Sequence, residues 1–187
     1  MSARLLTVTA QGAALAAASN TLAQGFTIYR DQTLSAFDPV TLLHFVLYSV
    51  ISTPPNYKWQ LWLEDNFPSN PKKDVAAPEK KSDDAKGEEK QTLSVTNTIA
   101  KFVLDQSIGA AFNTLLFITM INLFRGAGYD KIMTAVRRDF WTMMIAGYKF
   151  WPLVSILNLS VVPVEQRMLV GGLAGLAWGI YVSLMGL

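Results

Sequence analysis

Long apolar runs separated by short charged breaks set the pattern of this chain. Residues 5–29 contain no charged side chain, and residues 41–63 contain only Lys58. Residues 106–124 form a charge-free run of nineteen, and residues 168–187 another of twenty. A helix rises about 1.5 Å per residue and a bilayer core is roughly 30 Å thick, so each run is long enough to cross it. The pattern predicts an all-α integral membrane protein with four transmembrane helices, at about 5–27, 41–63, 102–124 and 168–187. Residues 129–151 behave differently. They carry Lys131, Arg137, Arg138, Asp139 and Lys149 among Ile132, Met133, Val136, Phe140, Trp141, Met144 and Ile145. Apolar residues recurring at three- and four-residue spacing mark an amphipathic helix, expected to lie in the interface and enter the membrane only towards Trp151.

Details within the runs qualify the picture. The first is rich in alanine, with Gly12 and Gly25, and also holds Gln11, Asn20 and Gln24. Small residues let helices approach closely in lipid, which favours a span. A cleavable secretory signal would need a more hydrophobic heart. A mitochondrial presequence would share the Ser, Thr and Ala content and the late first acid, Asp31, but would carry more arginine than Arg4 alone. The second run is entered through Asp38-Pro39 and contains Pro54-Pro55, which removes two backbone donors and predicts a kink or break. Tyr57, Trp59 and Trp62 beside Lys58 suit the headgroup region. In the third, Asn113 and Asn122 lie within apolar sequence, while Lys101 and Asp105 stand one helical turn apart, spaced to pair. In the fourth, Gly171, Gly175 and Gly179 form two overlapping GxxxG patterns, a candidate packing face.

Between the second and third runs, residues 69–91 form a solvated, disordered tether in this reading. Residues 70–90 contain six lysines and six acids and almost nothing to bury. This segment explains why the mean hydropathy is only +0.26 although 51% of the residues are hydrophobic and 16% charged. The formal charge of +2 is too small and scattered for nucleic-acid binding. Without cysteine there is no disulfide, thiolate metal site or thiol chemistry, and the lone His44 argues against a histidine metal cluster or a Ser-His-Asp site. No paired carboxylates, phosphate-binding Gly-rich loop or activated nucleophile can be picked out. The expectation is a protein with no catalytic residues, metal or cofactor, and not an enzyme. Basic residues load both sides of the four-span scheme, so orientation stays open.

The C-terminal quarter reads Trp151-Pro152, Asn158-Leu159, Val162-Pro163, Arg167, Trp178 and Tyr181-Val182-Ser183. Pro152 and Pro163 bracket a segment that is expected not to be one continuous helix. Arg167 invites phosphate headgroups or an acid such as Glu165 or Asp105, and Trp151 suits an interfacial anchor. This order resembles the signature of the Mpv-seventeen family, which includes the twenty-two-kilodalton peroxisomal membrane protein; its pattern is WPxxQxxNFxxVPxxxR, with a tryptophan about ten residues on. Lys101-x-x-x-Asp105-Gln106 is similar as well, and Asp38-Pro39 with His44 and Tyr48 more loosely. The charged insert and the stretch Thr53-Pro54-Pro55-Asn56-Tyr57 resemble a fungal branch. Ser155 stands where the family has glutamine, Leu159 replaces phenylalanine, and Val8-Thr9 lie where many members have a proline.

The resemblance implies an integral protein of the peroxisomal membrane, favoured by the weak presequence character, or of the mitochondrial inner membrane. It also implies a small-solute channel or permeability factor contributing to organelle homeostasis. The alternative is a non-conducting scaffold that organises partners through the tether and the amphipathic helix. The expected partners are the lipid bilayer, small solutes and a second copy of the chain. Candidate pore or intramembrane polar residues are Lys101, Asp105, Gln106, Asn113 and Asn122.

Overall fold

The computed structural model describes residues 3–32, 37–69 and 94–184, and all its regular elements are helical. The order is α1 (Ala3–Asp31), α2 (Pro39–Asn66), α3 (Val95–Leu104), a π-helical turn (Asp105–Gly109), α4 (Ala110–Phe124), α5 (Tyr129–Gly147), α6 (Trp151–Ser160) and α7 (Arg167–Leu184). By length and composition, the continuous helix Val95–Phe124 is apolar and long enough to cross a membrane. Apart from Ser69, the expected tether lies outside the described residues.

Local chemistry fixes the helix ends. Asp38 caps α2, its Oδ1 accepting from the Val40 and Thr41 amides at 2.9 and 3.1 Å and its Oδ2 from the Thr41 hydroxyl at 2.6 Å. Pro39 follows at the first helical position, where a missing N–H costs nothing. The Thr41 hydroxyl and amide hold the Asp38 carboxyl below its usual range. At the end of α4, Gly126 has φ 74°, with Gly126 N–H bonded to Leu123 O at 2.9 Å and Ala127 N–H to Asn122 O at 3.0 Å. Those two bonds make a Schellman turn, and its left-handed residue favours glycine.

In the first half of the chain one element differs from expectation. Helix α2 runs unbroken through Pro54 and Pro55, where the sequence predicts a kink or break. The carbonyls that lose their usual donors are those of Val50 and Ile51, while the Asn56 side-chain amide adds a bond to the same turn, donating to Ser52 O at 2.9 Å. Against the same turn, α1 presents Gly12, where a Cβ would sit 2.7 Å from Thr53 Oγ1. Helix α5 runs back along α4. Thr114 Oγ1 contacts Met144 Sδ at 3.4 Å, and the Tyr148 hydroxyl donates to Gln106 O at 3.1 Å. Helix α6 then continues beside α3, and α7 returns along α1.

Helix α1 is the hub, packed against both α2 and α7. The Gln24 side chain ties it to the start of α2, donating to Asp38 O at 2.9 Å and accepting from Asp38 N–H at 2.5 Å. On α7 the tightest glycines are Gly172 and Gly179. A Cβ at Gly172 would lie 2.5 Å from Leu15 Cδ1, and one at Gly179 would collide with Ser19 Oγ. Of the expected stripe, only Gly179 meets α1 closely. Gly171 and Gly175 look toward Asn158 and Trp151, with Cβ distances of 3.7 and 4.0 Å.

Gly179→Ala should therefore lower the melting temperature of the detergent-solubilised protein. Overpacking costs about 1–3 kcal/mol, against roughly 1 kcal/mol gained from helix propensity. Adding Ser19→Ala removes the colliding oxygen and should recover most of the loss, while Gly175→Ala should be neutral or stabilising. Equal melting shifts for the Gly175 and Gly179 variants would contradict this packing.

Candidate functional site

Three polar residues on α2, Asn56, Gln60 and Glu64, stand four apart and so share one face. Lys101, Asp105 and Asn113 face them from the antiparallel helix built of α3, the π-helical turn and α4. At the first rung the Asn56 and Asn113 amides exchange hydrogen bonds of 2.7 and 2.9 Å. At the second, Asp105 Oδ1 accepts from Gln60 Nε2 at 3.1 Å and Trp59 Nε1 at 3.3 Å. Asp105 Oδ2 accepts from the Ser155 hydroxyl of α6 at 2.7 Å, and Gln106 Nε2 donates to that same oxygen of Ser155 at 2.8 Å. The wide π-helical turn spans this rung. Its Gly109 lets the Trp59 indole in, since a Cβ there would lie 3.0 Å from Trp59 Nε1.

The third rung is ionic. Lys101, fully buried, donates to Glu64 Oε2 at 2.8 Å and to Ser69 Oγ at 2.5 Å. Arg167, also buried, reaches Glu64 Oε2 at 2.8 Å and Ser69 Oγ at 3.3 Å. Ser69 closes the group, giving its N–H to Glu64 Oε1 at 2.6 Å and its hydroxyl to Glu64 Oε2 at 3.0 Å. The Arg167 Nε–H is shared by the carbonyls of Asn158 at 3.1 Å and Val162 at 3.2 Å. One carboxylate thus joins α2, α3 and the start of α7 through two cations. Burying ions is costly, but removing one partner from such a group costs more because it strands the other charge.

The remaining predicted residues fall into place around this ladder. Lys101 and Asp105 do not pair with each other; each reaches across to α2. Arg167 takes Glu64 in place of Glu165 or Asp105. Asn158 Nδ2 donates to Arg167 O at 3.3 Å, securing the turn that contains Pro163. Between Pro152 and Pro163 the expected discontinuity is absent: Pro152 sits in the first turn of α6, where its missing N–H costs nothing, and one helix runs to Ser160, ending before Pro163. Trp151 lies 6.1 Å from Trp178, which stacks on Phe150 at 5.7 Å and meets Tyr181 at 5.2 Å. Asn122 is outside the ladder, donating to Ile118 O of its own helix at 2.8 Å. Sequence reading overlooks Asn56, Gln60 and Glu64 as site residues, although polar positions recurring every fourth residue were the available signal.

Beyond Asn56 and Asn113 the same helix interface turns aromatic. Phe117 meets Tyr48 at 5.2 Å and Phe45 at 6.1 Å, both edge-on, and His44 stacks on Phe124 at 5.6 Å. Chemically the ladder can carry hydrogen bonds and stabilise charge. Among the described residues no three His, Asp or Glu side chains converge on a metal-sized site.

A helical bundle that holds ionised and amide side chains between its helices, with one helix apolar and long enough to span a bilayer, fits a membrane protein. Comparison with known proteins is consistent with that class. Residues 122–183 match the model of the Mpv17 / PMP22 family. The protein sym1 of Schizosaccharomyces pombe is 24% identical over 196 residues, covering 97% of this chain and 84% of that relative. PXMP2/4 family protein 3 of Dictyostelium discoideum is 24% identical, covering 77% of this chain and 66% of its own length. The Drosophila melanogaster protein named mitochondrial inner membrane protein Mpv17 is 21% identical over 92% of this chain and 90% of its own. No solved structure matches. Over residues 122–183, and more weakly along most of its length, the chain is similar to the Mpv17 / PMP22 family.

Glu64→Gln should destabilise the detergent-solubilised fold by roughly 3–5 kcal/mol, because Lys101 and Arg167 would share a neutral amide. Asn113→Leu alone should cost about 1–3 kcal/mol by leaving Asn56 unpaired, and the double variant Asn56→Leu/Asn113→Leu should recover much of it. Thermal unfolding followed by circular dichroism measures both. Strictly additive asparagine effects would show that the two amides do not act as a pair.

Proposed function

We propose that the protein is a multi-span organelle membrane protein in which the buried ladder is the closed state of a path for small polar solutes. One observation carries this reading: ionised and amide side chains are concentrated inside an apolar bundle, and not all of their capacity is spent. Among the described residues, Gln106 Oε1 and Asn158 Oδ1 are buried acceptors without a protein donor. Polar groups at membrane depth are costly unless they have work to do. The ladder opens the path from the Glu64 end, and Phe45, Tyr48 and Phe117 plug it beyond Asn113. In this reading the chain moves solutes and catalyses no bond chemistry.

The four apolar segments at about 5–27, 41–63, 102–124 and 168–187 supply four crossings. Helices α5 and α6 together supply a fifth, because they run from the Phe124 end of α4 past Asp105 to Arg167. Five crossings put the two termini on opposite faces, where four would put them on the same face. The chain has no cysteine, so Ala3→Cys and Gly186→Cys should react with an impermeant maleimide from opposite sides of sealed vesicles. Labelling of both from one side would return the count to an even number.

Flux tests the path itself. Phe117→Ala should raise the leak of small polar solutes from proteoliposomes, and adding Asn113→Leu should remove the gain. Neutralising Lys101 and Asp105 together should alter ion preference. A folded, inserted Phe117→Ala protein that passes nothing would favour the scaffold reading, for which the mutual bonding of most ladder groups speaks. The Drosophila relative's name favours the mitochondrial inner membrane, while the weak presequence character favours the peroxisomal membrane. Co-fractionation with markers of the two organelles separates these locations.

A further inference from the structure

Away from the ladder, a shallow recess of about 360 Å³ opens where α5 leaves the end of α4, lined by Asn122, Asp130, Lys131, Thr134, Ala135 and Arg138. Lys131, Thr134 and Arg138 stand three and four residues apart, on one exposed stripe of α5. The stripe continues through Trp141, 67% exposed, and Ile145, 58% exposed, toward the middle of the bundle. Along one face the chemistry therefore runs from cations, through an amphipathic indole, to an aliphatic side chain. A phospholipid has that same order from phosphate to glycerol to acyl chain, and tryptophan concentrates at the middle level.

We infer that this stripe is a binding site for one anionic phospholipid, with its phosphate in the recess and an acyl chain passing Trp141 and Ile145. Lys131 forms no ion pair among the described residues. Arg138 donates Nε–H and one Nη2–H to Asp139 at 2.7 and 2.8 Å, which leaves three of its five N–H groups for a phosphate. Asn122 uses one amide hydrogen on Ile118 O and keeps the second. The Thr134 hydroxyl is already committed to Asp130 O at 2.8 Å, so it shapes the recess more than it donates. Asp130 lines the recess with opposite sign, as Asp139 does through Arg138. Arg125 and Arg137 are also exposed nearby, so four cations face two acids between residues 125 and 139. The balance favours an anionic headgroup over a zwitterionic one.

Native mass spectrometry of the purified full chain, titrated with phosphatidylglycerol or phosphatidylcholine, tests the site. The folded protein should retain phosphatidylglycerol several-fold more than phosphatidylcholine. Lys131→Gln/Arg138→Gln should abolish that preference, while Arg125→Gln/Arg137→Gln, which removes the same charge outside the recess, should keep it. Trp141→Ala should weaken retention of the lipid. Equal retention of both lipids, or equal losses in the two double variants, would overturn the proposal. Displacement of the lipid by inorganic phosphate would overturn it too, because the ligand would then be a free anion.

Discussion

The Glu64 carboxylate is the fixed point of this structure. It accepts from Lys101, Arg167 and both donors of Ser69, so α2, α3, α7 and the chain leaving α2 all end on one group. In water such a cluster would exchange with solvent and contribute little. Here Lys101 and Arg167 are buried, and their only compensation is this anion and a few oxygens. Helix α7 can lie along α1 only if its first residue stays where Glu64 holds it. The close approaches at Gly172 and Gly179 depend on that register. The ladder is set from the same end, because Gln60 and Asn56 follow Glu64 at one-turn intervals and meet Asp105 and Asn113 in step.

The π-helical turn keeps those steps aligned. Two regular helices packed side by side drift out of register, since their ridges cross at an angle. Widening the turn at Asp105–Gly109 lets Asp105 face Gln60, Trp59 and Ser155 while Lys101 and Asn113 keep their own partners. Gly109 is part of the same solution, because the Trp59 indole occupies the space a side chain would need.

Hydropathy made the apolar helices legible because it is a local property: α1, α2, the long Val95–Phe124 helix and α7 coincide with runs visible in the sequence. What depended on partners was not legible. Lys101 and Asp105 are spaced to pair with each other, yet their partners on α2 can be placed only once the helices are assembled. Glu64 is 37 positions from Lys101 and 103 from Arg167. Pro54-Pro55 reads as a break only on the assumption that nothing packs on the turn, and Gly12 of α1 passes close against it at Thr53. The GxxxG spacing picked out Gly171, Gly175 and Gly179, whereas Gly172 and Gly179 are the glycines that Leu15 and Ser19 meet.

The two ends of the bundle are built on opposite principles. At the Glu64 end, charge is drawn inside and neutralised by other side chains, so little of it faces outward. At the Phe124 end, the interior is closed by Phe45, Tyr48, Phe117, His44 and Phe124, and the charges of α5 remain on the surface. Aromatic rings can part without stranding any ion, whereas opening the Glu64 group would expose a carboxylate and two cations at once. Any rearrangement that admits a solute is therefore cheaper at the aromatic end.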